Sequence, residues 1–186
     1  MNILEAFSQR RSIKRFQERL VTRTEIEALL DAAVLAPNHR LTQPWRFYVL
    51  GPQSRAGYGF ALGDRKARKV EDPAAAQVVR ERTANEYRQL PAMIAVAMVM
   101  QENLEQREED YAAVMMAVQN LLLAAVAAGL GTHVRTGAVM DDPAARAAMG
   151  IRDAERVVAT ISLGAPEEVP PARARQAASL LTTWVE

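Results

Sequence analysis

The chain is 186 residues long, 49% apolar and 24% charged, with a formal net charge of +1. That is enough polypeptide to bury one sizeable core, and the near-neutral balance excludes recruitment of nucleic acid or an anionic membrane by an overall field. There is no cysteine, which removes disulfides, iron–sulfur clusters, thiolate zinc sites and cysteine nucleophiles together.

Residues 2 to 9 read as a short helix with Ile3, Leu4 and Phe7 on one face. Thr22 and Glu25 have the spacing of a capping box, and Ile26, Leu29, Leu30, Ala33 and Val34 then recur at helical intervals up to Pro37. The segment LAPNHRLTQPWRFYVL, Leu35 to Leu50, joins that helix end to a short strand, Phe47 to Leu50, through a loop rich in polar groups. Trp45 reads as core. Residues 59 to 90 carry both signs of charge and are interrupted by Pro73, which predicts solvated helices over one side of the domain. Met93 to Met100 is a continuous apolar run, consistent with a strand buried on both faces. Roughly Arg107 to Ala128 forms the longest helix; it is apolar nearly all round and must be covered on most sides. Gly129 and Gly131 end it. A further strand, a short helix from Asp142-Pro143 to Gly150, and a strand from Val157 to Leu163 follow. The tail carries Pro170, Pro171, Arg173 and Arg175 and leads to a strand-like piece, Leu180 to Val185.

This order of elements predicts an α+β layer architecture in a single domain, residues 1–186. The apolar long helix and apolar tail predict a dimer in which each chain helps to cover the other. The opening MNILEAFSQRRS is too poor in apolar residues for a secretory signal. The run from Ala92 to Met100 is far short of the roughly 18 residues that span a bilayer. The expected setting is therefore cytoplasmic and off the membrane.

Most motifs are weak. GYGFALG, Gly57 to Gly63, is one residue too long for a dinucleotide loop, and GLGTHV follows a helix where such a loop follows a strand. His39 and His133, the two histidines, have neighbours that supply no metal-ligand spacing. QRRSIKRF, Gln9 to Phe16, places Arg10, Arg11, Ser12 and Arg15 at a helix end. Guanidinium and hydroxyl groups suit a phosphate, although on composition alone a solvated basic turn is the stronger reading. Arg173 and Arg175 share one side of the tail if it is extended.

Taken together, Arg10-Arg11-Ser12, APNHRLTQPWRF, the long apolar helix, GLGTHVRTGA, VVATISLGAP and the P-x-R-x-R tail ending near Trp184 resemble the nitroreductase family of FMN-dependent oxidoreductases. The pieces occur in order over nearly the whole chain. The short length and the Asn38-His39-Arg40 variant point to a small subgroup of that family. The resemblance implies a three-layer fold with a central, mostly antiparallel sheet flanked by helices, and a homodimer with FMN at the interface beside the long helix and the tail. It implies ping-pong chemistry in which NADH or NADPH reduces FMN and a small-molecule acceptor, nitroaromatic or quinone-type, reoxidises it.

Carried over by position, Arg10, Arg11 and Ser12, with Arg15 as a weaker member, would hold the phosphate and ribityl end. Arg173 and Arg175 would complete that site. Leu35, Pro37, Asn38 and His39 would line the flavin from the partner subunit, and Val134, Arg135 and Thr136 would meet the ring system. Ala124, Ala125, Val126, Ala127, Ala128 and Gly129 align with a nicotinamide-nucleotide contact, an odd role for what reads as a buried helix end. No catalytic acid–base pair is expected, because the cofactor carries the chemistry. Two other readings stay open: a specialised flavin relative that dehalogenates or fragments flavin, and a non-catalytic helical binding protein. Near-zero net charge argues against nucleic acid as that protein's partner.

Overall fold

A computed structural model describes all 186 residues. Its core is a sheet of four antiparallel strands in the order β1-β2-β4-β3, with β1 at Trp45–Val49, β2 at Ala92–Val99, β3 at Gly131–Arg135 and β4 at Glu155–Gly164. Helices α1 (Ile3–Gln9), α2 (Arg23–Ala33), α3 (Pro52–Ala67), α4 (Pro73–Arg88), α5 (Leu104–Ala127) and α6 (Pro143–Met149) complete the fold. The predicted α+β class and the order of elements both hold.

Each helix starts where local chemistry says it should. Thr22 accepts from the Glu25 N–H while the Glu25 carboxylate reaches back to the Thr22 N–H, satisfying donors that a first turn leaves unpaired. The Arg19 guanidinium, with the Thr22 N–H and hydroxyl, holds the Glu25 carboxyl down at about 2. Asp72 and Asp142 cap α4 and α6 ahead of a proline in the first turn.

Strand β2 is central, and its first seven residues are all buried. Its side chains alternate between two clusters. Ile94, Val96 and Met98 meet α2 and α5 on one face, where Trp45 is also buried. Met93 and Ala95 meet α3 and α6 on the other. A strand covered on both faces needs no polar side, which explains the unbroken apolar run.

The expectation for residues 59–90 needs correction. Only α4 is a solvated helix; α3 begins at Pro52 and buries Ala56, Tyr58, Ala61 and Leu62 between the sheet and α4. The Tyr58 hydroxyl lies 3.3 Å from Thr160 Oγ1, and burial pushes its pKa up to about 12. GYGFALG proves to be a packing surface. A Cβ on Gly59 would stand 2.8 Å from the Thr83 carbonyl oxygen, and one on Gly63 would stand 2.8 Å from Arg80 Cα. Two glycines one turn apart let the α3 and α4 backbones approach. At the end of that hairpin the buried Arg55 guanidinium donates to the carbonyls of Leu50, at 3.1 Å, and Arg88, at 3.0 Å.

The long helix buries Val114, Val118, Leu121 and Ala125 but leaves Leu104, Tyr111 and Met116 exposed. On α1, Ile3, Leu4 and Phe7 are also exposed, although they do share a face as expected. The tail departs from expectation. Leu180 to Val185 is not a strand; a single 3-10 turn at Ala178–Leu181 is its one regular feature. A strand needs a neighbour to pair with, and within the protomer the tail has none. Every residue from 171 to 186 is exposed.

Candidate functional site

After α1 the chain turns extended at Arg10 and is sewn along the outer edge of the sheet. Ser12 bridges Thr132 in parallel, and the Ile13 N–H donates to the Thr132 carbonyl at 2.8 Å. Ile13 is buried against Gly131, where a Cβ would stand 2.5 Å from Ile13 Cγ1. That glycine is required for close approach, not as part of a nucleotide loop. Further on, Phe16 bridges Pro166, and the Gln17 N–H donates to the Ala165 carbonyl at 2.9 Å.

This anchoring sorts the basic cluster. Alternation along an extended segment puts Arg10, Ser12 and Lys14 on the side opposite the buried Ile13. Arg11 turns back to cap α1, donating to the carbonyls of Ser8 at 2.7 Å and Arg10 at 2.9 Å, with its Nε buried and unpartnered. Arg15 is engaged by Glu168, with Glu167 3.9 Å away. Arg10 and Ser12 are not so engaged in the protomer. Lys14, which the sequence reading passed over, joins them; the signal was available in the alternation of residues 10, 12 and 14.

Strand β3 is an edge, so its outer backbone groups are open beyond the Ser12 bridge. Val134 packs against the α2–α5 cluster. Alternation sends His133 and Arg135 to the opposite face. Burial first, then the charges of Arg135 and Lys14, lower the His133 pKa, so this ring is neutral at physiological pH. Arg135 is half-buried, with an unpartnered Nε, and it counters the rise that burial imposes on the Tyr87 phenol. Thr136 is exposed at the strand's end. A cavity of about 520 Å³ opens beside Lys14 and Phe16, bounded by Glu86, Gln89, Leu90 and Pro91 at the end of α4.

A second cavity, of about 320 Å³, lies on the Arg11 side, lined by Arg11, Ile13, Val126, Gly129 and Val169. It opens onto the last turn of α5, and this corrects the reading of that helix end as buried. Ala125 is buried and Ala124 and Val126 are half-buried, but Ala127, Ala128 and Gly129 are exposed. The α5 carbonyls find an end in Gly129, at φ +73.

On the far side of α2, Leu35, Pro37 and His39 are exposed and Asn38 is half-buried. Arg40, Leu41 and Gln43 all hold positive φ, a conformation that costs non-glycine residues on the order of 1–3 kcal/mol each. His39 Nδ1 lies 3.3 Å and Arg40 Nε 3.6 Å from the Glu109 carboxylate on α5. In the tail, Arg173 and Arg175 are exposed and make no hydrogen bond or ion pair with the body of their own protomer. The one chain thus brings Arg10, Ser12, Lys14 and Arg135 to a common edge and leaves the 35–39 loop and the tail elsewhere.

Comparison with known proteins gives the chain its family. The sequence pattern of the Nitroreductase family matches residues 7–165. YfhC of Bacillus subtilis, named as an NAD(P)H nitroreductase, is 33% identical over 169 residues, 89% of this chain and 85% of the relative. YdjA of Escherichia coli K12, named likewise, is 31% identical over 168 residues, 90% of each chain. A nitroreductase from Desulfovibrio desulfuricans, solved in complex with FMN, is 25% identical and superposes with a TM-score of 0.74 over 100% of this chain and 98% of its own. The chain belongs to the nitroreductase family.

Proposed function

We infer that the protein is a cytoplasmic, homodimeric, FMN-dependent oxidoreductase that draws electrons from NADH or NADPH and delivers them to nitroaromatic or quinone-type acceptors. The observation that carries this reading is the row of Arg10, Ser12 and Lys14 on one side of a segment anchored to the sheet edge beside Arg135. The donor set fits FMN. Arg10 and Ser12 offer forked and hydroxyl donors to a terminal phosphate. Lys14 and Arg135 supply cations for the negative charge that a reduced flavin ring gains at its polar edge, and the unpartnered Arg135 Nε is a donor without a protein acceptor. FMN, when bound, supplies alternate hydride acceptance and donation at one place, which is ping-pong chemistry.

The chain's own groups bind, orient and exclude water. Exposed Leu35 and Pro37, with Asn38 and His39, would cover the flavin of the partner subunit. Arg173 and Arg175 would reach a phosphate site only across a subunit boundary, since their own protomer gives them no partner. The open end of α5, Ala124 to Gly129, is where a nicotinamide nucleotide would lie.

The purified protein is expected to be yellow, with bands at about 370 and 450 nm from oxidised flavin, and to bleach under anaerobic NADH or NADPH. A colourless chain that cannot be reconstituted with FMN would favour the non-catalytic binding protein. A yellow chain that neither donor bleaches would favour dehalogenation or flavin fragmentation. Arg10→Ala is expected to cost about 1–3 kcal/mol of FMN affinity, the worth of a charged hydrogen bond. Unchanged affinity in a fluorescence titration would place the phosphate elsewhere.

A further inference from the structure

The neck of the 38–43 loop is built in an uncommon way. Arg40, Leu41 and Gln43 have φ of 64, 51 and 44°, a region that a side chain with a Cβ seldom enters. None of the three is glycine or asparagine, the residues that enter it most readily. The backbone must be held there by contacts outside itself.

The holding point lies on α5. Asp110 is only 1% exposed. One of its carboxylate oxygens takes the Thr42 hydroxyl at 2.5 Å, and the other is buried with no partner. A carboxylate only accepts, so the single proton of Thr42 is committed to it. The Thr42 oxygen must then accept, which it does from Asn38 Nδ2 at 3.0 Å. With its nitrogen turned that way, Asn38 presents Oδ1 to the Gln43 N–H at 2.6 Å. Each donor is dictated by the one before it, from a buried helix residue across the neck of the loop. Stability alone does not account for Asp110, because a buried carboxylate with an unsatisfied oxygen is costlier than a packed aliphatic side chain.

We propose that Asp110, acting through Thr42 and Asn38, is the positioning residue that holds the 38–43 loop in its left-handed conformation and so sets Asn38 and His39 for contact with the flavin. This rests on the reading above that the loop lines FMN. Without the tether the three residues relax toward ordinary backbone conformations, and His39 and the outward-facing Leu41 move with them.

The test uses full-length Thr42→Val, Asp110→Ala and Thr42→Ser chains, with three readouts: the FMN dissociation constant, the visible circular dichroism of bound flavin, and the rate of tryptic cleavage after Arg40. Thr42→Val and Asp110→Ala are expected to bind FMN about tenfold more weakly, about 1.4 kcal/mol. They should also shift the flavin dichroism and be cut faster at Arg40. Thr42→Ser, which keeps the hydroxyl, is expected to restore all three. Should Asp110→Ala fail to fold, Thr42→Val decides by itself. Wild-type FMN affinity or wild-type cleavage in Thr42→Val overturns the tether. So does a Thr42→Ser chain as impaired as Thr42→Val, which would make the site a matter of packing. A wild-type chain that takes up no FMN overturns the functional reading and this proposal with it.

Discussion

Truncation after Val169 is expected to loosen the proposed dimer by at least about a hundredfold, or about 2.7 kcal/mol, and to release FMN with it. The tail from 171 to 186 lies wholly exposed, yet it is not the composition of a solvated end. Leu180, Leu181, Trp184 and Val185 are 71 to 90% exposed. Burying each on a partner is worth about 1.5–3 kcal/mol, so even half of the sum exceeds the expected loss. The surface to receive them exists on the same chain: Ile3, Leu4 and Phe7 on α1, Leu104 and Met116 on α5, and Leu35 and Leu41 are all exposed. If Arg173 and Arg175 complete the phosphate site as proposed, flavin retention is expected to fall as the dimer dissociates. Sedimentation velocity, with flavin absorbance followed in the same cell, checks both. A tight dimer with full FMN occupancy after truncation would refute the assignment of the tail to the interface.

Gly63→Val is expected to destabilise the fold by about 3 kcal/mol, near the upper end for overpacking, and to lower Tm by roughly 6–12 °C for a chain of this size. The Cβ would meet the Arg80 backbone, with Cα at 2.8 Å and the carbonyl oxygen at 3.1 Å, so no rotamer change relieves the contact. Alanine would be a weaker test, because it gains about 1 kcal/mol of helix propensity over glycine and masks part of the clash. Gly51→Ala is the control: nothing stands within 4 Å of its Cβ, and the expected cost is only that of exchanging a glycine N-cap of α3 for alanine, about 1 kcal/mol or less. Calorimetry that found the two variants alike would mean that α4 can move off α3 at little cost.

Much of this protein follows from local pattern. The Thr22 and Asp142 caps and the apolar runs at 93–100 and 157–163 set elements whose bounds need only neighbours in the chain, because 3.6- and 2-residue periodicities and cap chemistry are short-range. Order along the chain was enough to place the sequence in its family. The placing of Arg10 and Ser12 just past the end of a short helix was also legible.

Facing was not. Which half of QRRSIKRF looks outward depends on Ile13 seating against Gly131, far away in sequence, and that contact sends Arg11 to cap α1 and brings Lys14 into the row. The burial of α3 follows from α4 lying on its glycines, a fact that charge pattern alone conceals. The link from Asp110 to Thr42 joins residues whose types carry no signal by themselves. The tail is not a strand because it pairs with neither open edge of its own protomer's sheet, a matter of tertiary placement that composition does not report. Composition and periodicity report what a segment prefers; only the meeting of distant segments decides which side chain is spent on structure and which is left for a ligand.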